Sequence, residues 1–343
     1  MNLIVGGRQS RMQIEDASQV GEIRRTAQRL AERHDFDEIQ VGRVGIVATE
    51  LANNVLRHAG RGEFLLQAID DHHGLNVELV ALDKGPGMHV DTCMKDGYST
   101  SGTAGTGLGA VARLSAFFDV YSMLDQGTVA VARISRHPPA AVRGANVQIG
   151  ATNLGAICVA VAGEIECGDT WQVAQSDRET AIMVADGLGH GPLAALASQA
   201  AARTFAENPF ERPSEAMQRM HRTLSGGRGA AAAVALIDWQ KASVAYAGVG
   251  NICGLVAASD RSKGMVSHNG ILGAQLLRTQ QFEYGLSRDS KVIMHSDGMS
   301  ARWSLSSYPG LSVRHASVIA GVLYRDHSRS RDDVTIVVSG APT

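Results

Sequence analysis

Apolar positions in the first third of the chain recur with helical spacing. Val20, Ile23, Ala27 and Leu30 fall on one stripe, and residues 39–58 continue the pattern as a second helix. Alternation with a period of two then predicts strands over 63–69, 75–82, 118–123 and 128–134, with a helix near 110–116 among them. A glycine-rich loop runs from the second of these strands to Gly109. Helices first and strands after, paired antiparallel or mixed, predict a two-layer α/β sandwich. The pattern then breaks. Pro138-Pro139 sits inside RISRHPPAAVRGANVQIG, and adjacent prolines remove backbone donors and push the preceding residue out of helix. We read residues 138–149 as a linker between one domain over 1–137 and another over 150–343. The second part reads as short strands (155–162, 180–185, 231–237, 243–247, 291–295 and 334–338) around two helices, 192–207 and 213–224. That order predicts an α+β sandwich.

Composition narrows the function classes. The 343 residues, 44% hydrophobic and 19% charged, supply core for two ordinary domains. Thirty-two basic against 34 acidic residues and only 5% aromatics argue against a nucleic-acid surface. Glycine, at 38, is over-supplied, which suits tight turns and close backbone approach to ligands. Cys93, Cys158, Cys167 and Cys253 form no CxxC pair and read as small buried hydrophobes in a reduced compartment. The longest uncharged apolar stretch, 155–163, falls far short of the roughly 20 residues of a membrane span, and the N-terminal apolar run is too short for a secretory signal. The expectation is a cytoplasmic protein that binds neither membrane nor nucleic acid.

Three segments of the first part belong together. In ATELANNVLRHAG, Glu50, Asn54 and His58 recur every four residues and stack along one helix face. In LVALDKGPGM, Asp83 ends an apolar strand, where its carboxylate could accept from an exocyclic amine, and Gly85 and Gly87 follow. GTAGTGLGAVARL runs from a glycine loop into a helix whose first N–H groups would face a phosphate. In this order and spacing the set resembles the GHKL (Bergerat-fold) ATP-binding family. Glu50 and Asn54 match its N box, and Asp83-x-Gly85-x-Gly87 matches the first glycine box. Gly105-Thr106-Gly107-Leu108-Gly109 matches the second, and Thr128 sits where the family has a further threonine at the base pocket. Residues 94–114, MKDGYSTSGTAGTGLGAVARL, look like the RsbT-type switch-protein kinases. The resemblance implies that Asn54 holds Mg²⁺ on the ATP phosphates, with the adjacent Asn53 as the competing amide. It makes Glu50 the general base on a substrate hydroxyl, Asp83 the reader of adenine, and the glycines a phosphate cradle. Such a division of labour suits phosphoryl transfer, which is mostly positioning and charge neutralisation. His58 is read as packing or capping.

The second part carries carboxylates at strand ends. AIMVADG places Asp186-Gly187 after an apolar run, KVIMHSDG does the same for Asp297, Asp332-Asp333 opens VTIVV, and Asp169 lies in ECGDTW. Carboxylates gathered on one rim repel unless cations sit between them, and all-oxygen sites suit Mg²⁺ or Mn²⁺. Two such ions activate water for attack on a phosphoester. GDTW, VADGLGHG, AYAGVGN, HSDG and RDDVTIVV follow the order of the SpoIIE-like branch of the metal-dependent (PPM) protein phosphatases, with RsbX-like brevity. The resemblance implies that Asp186 bridges two metals as the central catalytic ligand. Asp297 and Asp332 would complete one ion, and Asp169 with the Gly187 carbonyl the other. Glu166 competes with Asp169, and Asp333 with Asp332. His190 is not assigned as general acid, and no arginine is assigned to the substrate phosphate.

The resemblances together imply an α+β protein, a Bergerat-fold sandwich joined to a PPM-type sandwich. Such a chain would be a bifunctional serine/threonine kinase and phosphatase using ATP with Mg²⁺ and a pair of Mn²⁺ or Mg²⁺ ions. Its substrates would be STAS-domain proteins, either anti-sigma-factor antagonists or stressosome scaffold proteins, with a downstream phosphatase or sigma factor as a further partner. The competing reading is an ATP-binding anti-sigma or partner-sequestering module with secondary phosphatase activity.

Overall fold

Helix α1 (Ala17–Arg33) begins where the Asp16 side chain accepts from the Ser18 and Gln19 N–H groups, and Gln19 answers in a capping box. Its buried positions, Val20, Ile23, Ala27 and Ala31, are the apolar stripe of the sequence. Helix α2 (Glu38–Ala59) starts at the Asp37 cap and stops at Gly60, whose left-handed conformation ends it. Strands β2 (Ser10–Ile14), β3 (Gly62–Asp71), β4 (Gly74–Asp83), β5 (Phe117–Met123) and β6 (Gly127–Ser135) form one sheet in the order β2-β3-β4-β6-β5, antiparallel throughout. Helix α3 (Gly107–Leu114) precedes β5. Ile23, Val44, Leu51, Phe64, Leu79 and Val111 are among the buried residues of the core between helices and sheet. This computed structural model describes residues 2–5, 9–71, 74–90, 107–137, 153–259, 261–274, 279–329 and 331–342.

The second unit holds two antiparallel-rich sheets. With β1 at Asn2–Val5, β12 at Cys253–Ala257, β13 at Ser262–Met265, β14 at Ser267–His268 and β15 at Phe282–Gly285, one runs β1-β8-β9-β10-β11-β14, with β15 also on β11, and the other runs β13-β12-β16-β17-β7. The strands that matter to the site are β7 (Leu154–Val159), β8 (Asp169–Gln175), β9 (Glu179–Gly187), β10 (Ala230–Asp238), β11 (Ser243–Val249), β16 (Lys291–His295) and β17 (Val334–Gly340). Helix α4 (Pro192–Glu207) packs on β8 and β9, α5 (Pro213–Leu224) on β10, and α6 (Ala316–His327) on β7 and β17. The result is the expected α+β sandwich with helices outside. Helix α6 and strand β8 lie outside the elements the sequence pattern predicts. Helix α6 is buried at every position from Ala316 to Arg325, so it has no polar face to betray a helical period.

One boundary is corrected. The chain divides into Gln9–Ala151 and a second unit made of Met1–Arg8 with Thr152–Thr343. Strand β1 (Asn2–Val5), expected inside a domain over 1–137, pairs antiparallel with β8, Asn2 opposite Gln175 and Val5 opposite Gln172. The physical reason is that β8 would otherwise be an edge with open N–H and C=O groups, and NLIV supplies an apolar strand for it, with Ile4 fully buried. The linker assigned to 138–149 lies outside the described residues. Among the described residues no helix is long and apolar enough to cross a membrane.

Candidate functional site

In the first unit the helical turn stacks Glu50 and Asn54 on one face of α2, both half-buried. Gly107, the first residue of α3, stands against them. A Cβ at that position would lie 3.7 Å from Glu50 Oε2 and 3.7 Å from Asn54 Oδ1. The start of a helix, a carboxylate and an amide therefore share one place. The amide there is that of Asn54. Leu108 packs against the core and Gly109 belongs to the first turn of α3, while Gly105 and Thr106 lie outside the described residues. His58 is exposed near the end of α2, apart from this group.

Asp83 ends β4, and its Oδ1 accepts from Gly85 N at 2.8 Å and from Thr128 N at 3.2 Å. Those bonds tie the DKGPG turn to the start of β6. Gly87 takes a φ of +71°, and a side chain there would collide with the Met123 carbonyl. Ser122, which sequence reasoning did not single out, joins the same wall. Its hydroxyl shares a 2.9 Å hydrogen bond with Thr128 Oγ1 and accepts from Met88 N at 2.9 Å.

In the second unit the topology brings four carboxylates to one end of both sheets. Asp169 starts β8 and Asp186 lies near the end of β9, directly opposite each other in the ladder. Asp297 follows β16 and Asp332 precedes β17, neighbours in the other sheet. Gly187 packs so tightly on Ala194 of α4 that any Cβ would collide with that helix backbone. Its N–H donates to the Gly168 carbonyl at 3.1 Å, which fixes the turn after Asp186.

Electrostatics mark this rim as strained without a cation. Burial, reinforced by the charge of Asp186, pushes the Asp169 carboxyl well above the carboxylate range. Asp169 is 4% exposed, and its Oδ2 is buried without a hydrogen-bond partner. Burial, then the charges of Asp297 and Asp332, raises Asp186 to about 7, with the Asn251 amide opposing. Asp332 is raised by burial and by Asp297. Asn251 Nδ2 spans two of the acids, donating to Asp297 Oδ2 at 2.8 Å and to Asp186 Oδ2 at 3.2 Å. Among the described residues no three His, Cys, Asp or Glu side chains stand in a ligating cluster. The donor set nonetheless fits hard divalent cations. It is all oxygen, mutually repelling and incompletely hydrogen-bonded.

Two alternatives left open by the sequence separate here. The Asp333 carboxylate is occupied by backbone, accepting from Val161 N at 2.7 Å and from Gly168 N at 2.8 Å. It clamps the β7–β8 loop, whereas the Asp332 carboxylate feels the charge of Asp297. Glu166 is exposed, whereas Asp169 is buried opposite Asp186. His190 pairs with Glu164, Nδ1 to Oε1 at 2.7 Å. Asn251 had no sequence signal beyond its place at the end of AYAGVGN.

Comparison with known proteins divides the chain the same way. Residues 14–134 match the histidine kinase-like ATPase domain, and residues 176–341 match the stage II sporulation protein E (SpoIIE) family. The chain is 32% identical over 106 residues to the serine/threonine-protein kinase RsbT of Bacillus subtilis (strain 168), covering 31% of this chain and 80% of that protein. It is 29% identical over 140 residues to the phosphoserine phosphatase RsbX of the same organism, covering 40% of this chain and 70% of that protein. A solved structure from work on the bacterial stressosome, a modular system adapted to control secondary messenger signaling, aligns with a TM-score of 0.50 and 28% identity, over 54% of this chain and 97% of its own.

Proposed function

Because the chain belongs to the histidine kinase-like ATPases through residues 14–134, with an RsbT-like sequence, and to the SpoIIE group through residues 176–341, we propose that it phosphorylates and dephosphorylates serine or threonine on STAS-domain switch proteins. The observation that supports this reading is that each unit brings together groups suited to its chemistry. Glu50 and Asn54 meet the start of α3 in one, and Asp169, Asp186, Asp297 and Asp332 share one rim in the other.

In the kinase reading, Asp83 accepts from the adenine amine, and Gly85, Gly87 and Thr128 let backbone close around the base. The α3 N–H groups and the preceding glycines receive phosphate oxygens. Asn54 would hold Mg²⁺, which would neutralise phosphate charge. Glu50 orients the incoming hydroxyl and takes its proton. In the phosphatase reading, Asp186, Asp297, Asp332 and Asp169, with the Gly187 carbonyl, would hold two divalent ions, Asp186 being the ligand both would share. Bound Mn²⁺ or Mg²⁺ would supply Lewis-acid activation of water. The carboxylates would hold the ions, with Asp169 buried at the start of β8.

The test is direct. The purified chain, ATP with Mg²⁺ and a panel of STAS-domain proteins are mixed, and phosphate on protein is followed by mass spectrometry before and after Mn²⁺ is added. Transfer followed by Mn²⁺-dependent loss supports both halves. A stable complex with no transfer would instead make the first unit a sequestering module.

A narrower expectation concerns the base pocket. Asp83→Asn removes a charged acceptor from a partly buried site, a loss of about 1.5–3 kcal/mol or roughly ten- to a hundred-fold in affinity. Calorimetric ATP binding should weaken by that factor while the nucleotide-free melting curve stays put. Unchanged affinity removes Asp83 from the pocket.

A further inference from the structure

No arginine in the sequence advertised itself as a partner for the substrate phosphate, yet the fold fixes one beside the acidic rim. Arg329 lies between α6 and β17. Its N–H donates to the Gly298 carbonyl at 2.7 Å, Ser300 N donates to the His327 carbonyl at 2.9 Å, and Met299 bridges Ser328. This segment is thereby strapped to the turn that carries Asp297. The side chain follows the backbone, because Nη1 donates to the Asp297 carbonyl at 3.2 Å. Its charge reaches inward as well. Burial chiefly lowers the pKa of His295, and Arg329 adds to the lowering.

What the guanidinium does not bind is informative. Asp186, Asp297 and Asp332 all stand at this rim, and an exposed arginine beside carboxylates ordinarily takes one in a bidentate pair. Among the described residues Arg329 forms no ion pair, and its one side-chain hydrogen bond is to a neutral carbonyl. Four of its five donors remain open in a side chain whose direction is set. A phosphomonoester, carrying close to two negative charges and three acceptor oxygens, is the ligand that geometry and charge suit. Arg228 is the rival, exposed, with its Nη1 3.4 Å from where a Cβ on Gly189, three residues after Asp186, would stand. Among the described residues no hydrogen bond fixes its direction.

We propose that Arg329, held at the Asp297 turn, binds the phosphoryl oxygens of the phosphoserine or phosphothreonine substrate beside the carboxylates that would hold the metal ions. The inference rests on the phosphatase reading above and adds the residue that recognises the phosphate. The experiment uses the full chain loaded with Mn²⁺ and a phosphoserine protein substrate. Arg329→Ala should raise KM about ten- to a hundred-fold, the loss expected for a charge-assisted contact, with a smaller fall in kcat. Inhibition by inorganic phosphate should weaken in parallel, Mn²⁺ affinity by calorimetry should not move, and Arg329→Lys should recover part of the KM. Wild-type KM and phosphate inhibition in Arg329→Ala would overturn the proposal, as would a KM increase confined to Arg228→Ala. If the wild-type chain hydrolyses no phosphoprotein, the phosphatase reading itself fails. Calorimetric titration of the Mn²⁺-loaded chains with inorganic phosphate then decides Arg329 separately, equal affinity in wild type and Arg329→Ala counting against it.

Discussion

Asp186→Asn is expected to abolish dephosphorylation while leaving ATP-dependent phosphorylation intact. Loss of an outer partner to a metal ligand already costs about 10- to 100-fold, so loss of a shared ligand should exceed about 100-fold. The variant should also accumulate more phosphorylated STAS protein than wild type when both are given ATP, since only the reverse reaction is removed. Folding is not the expected casualty. Burial and the charges of Asp297 and Asp332 oppose ionisation of the Asp186 carboxyl and push its pKa up to about 7, above the usual carboxylate value. A group raised in this way costs the native state nothing below the unfolded pKa. The cost then grows between about pH 4 and 7 and is constant above. Asparagine carries no such cost, so at pH 8 without metal Asp186→Asn should melt no lower than wild type, and Mn²⁺ should raise its melting temperature less. A variant that retained Mn²⁺-dependent hydrolysis would end the assignment of Asp186 as the shared ligand. Equal accumulation of phosphoprotein would mean that the two units act on different substrates.

The sequence made the chemistry more legible than the architecture. Asp83, Gly85 and Gly87 could be read because each is required locally, one to end a strand and turn back on Gly85 N, the others to let backbone pass. Glu50 and Asn54 could be read because a helix face is a fixed ruler of four residues. Helix α6 could not, since burial on all sides erased its period. Strand β1 could not either, since its partner β8 lies more than 160 residues away and three apolar residues announce no pairing. The same limit applies to roles. Asp332 and Asp333 are indistinguishable in RDDVTIVV, and only the loop that folds back onto Asp333, through Val161 N and Gly168 N, tells them apart. Asn251 and Arg329 acquire meaning only from what the fold sets beside them, two acids for the first and the Asp297 carbonyl for the second.

Glu50 and Asn54 lie one helical turn apart against the same glycine, so proximity alone cannot assign their roles, and their variants should separate them. Glu50→Gln keeps the shape of the side chain and removes the base. It should bind ATP with Mg²⁺ about as wild type does and lose roughly 10²- to 10⁴-fold in transfer rate, the range general-base catalysis contributes. Asn54→Ala should instead lose the Mg²⁺-dependent part of nucleotide affinity, so that calorimetric titrations with and without Mg²⁺ become alike. Transfer then fails because the phosphates are not held. Dephosphorylation should survive in both, because the carboxylates proposed for it lie in the other unit. Two results would break this division. Equal loss of nucleotide binding in both variants would make Glu50 a binding group, and full transfer by Glu50→Gln would leave positioning by α3 and Mg²⁺ as the whole of the catalysis.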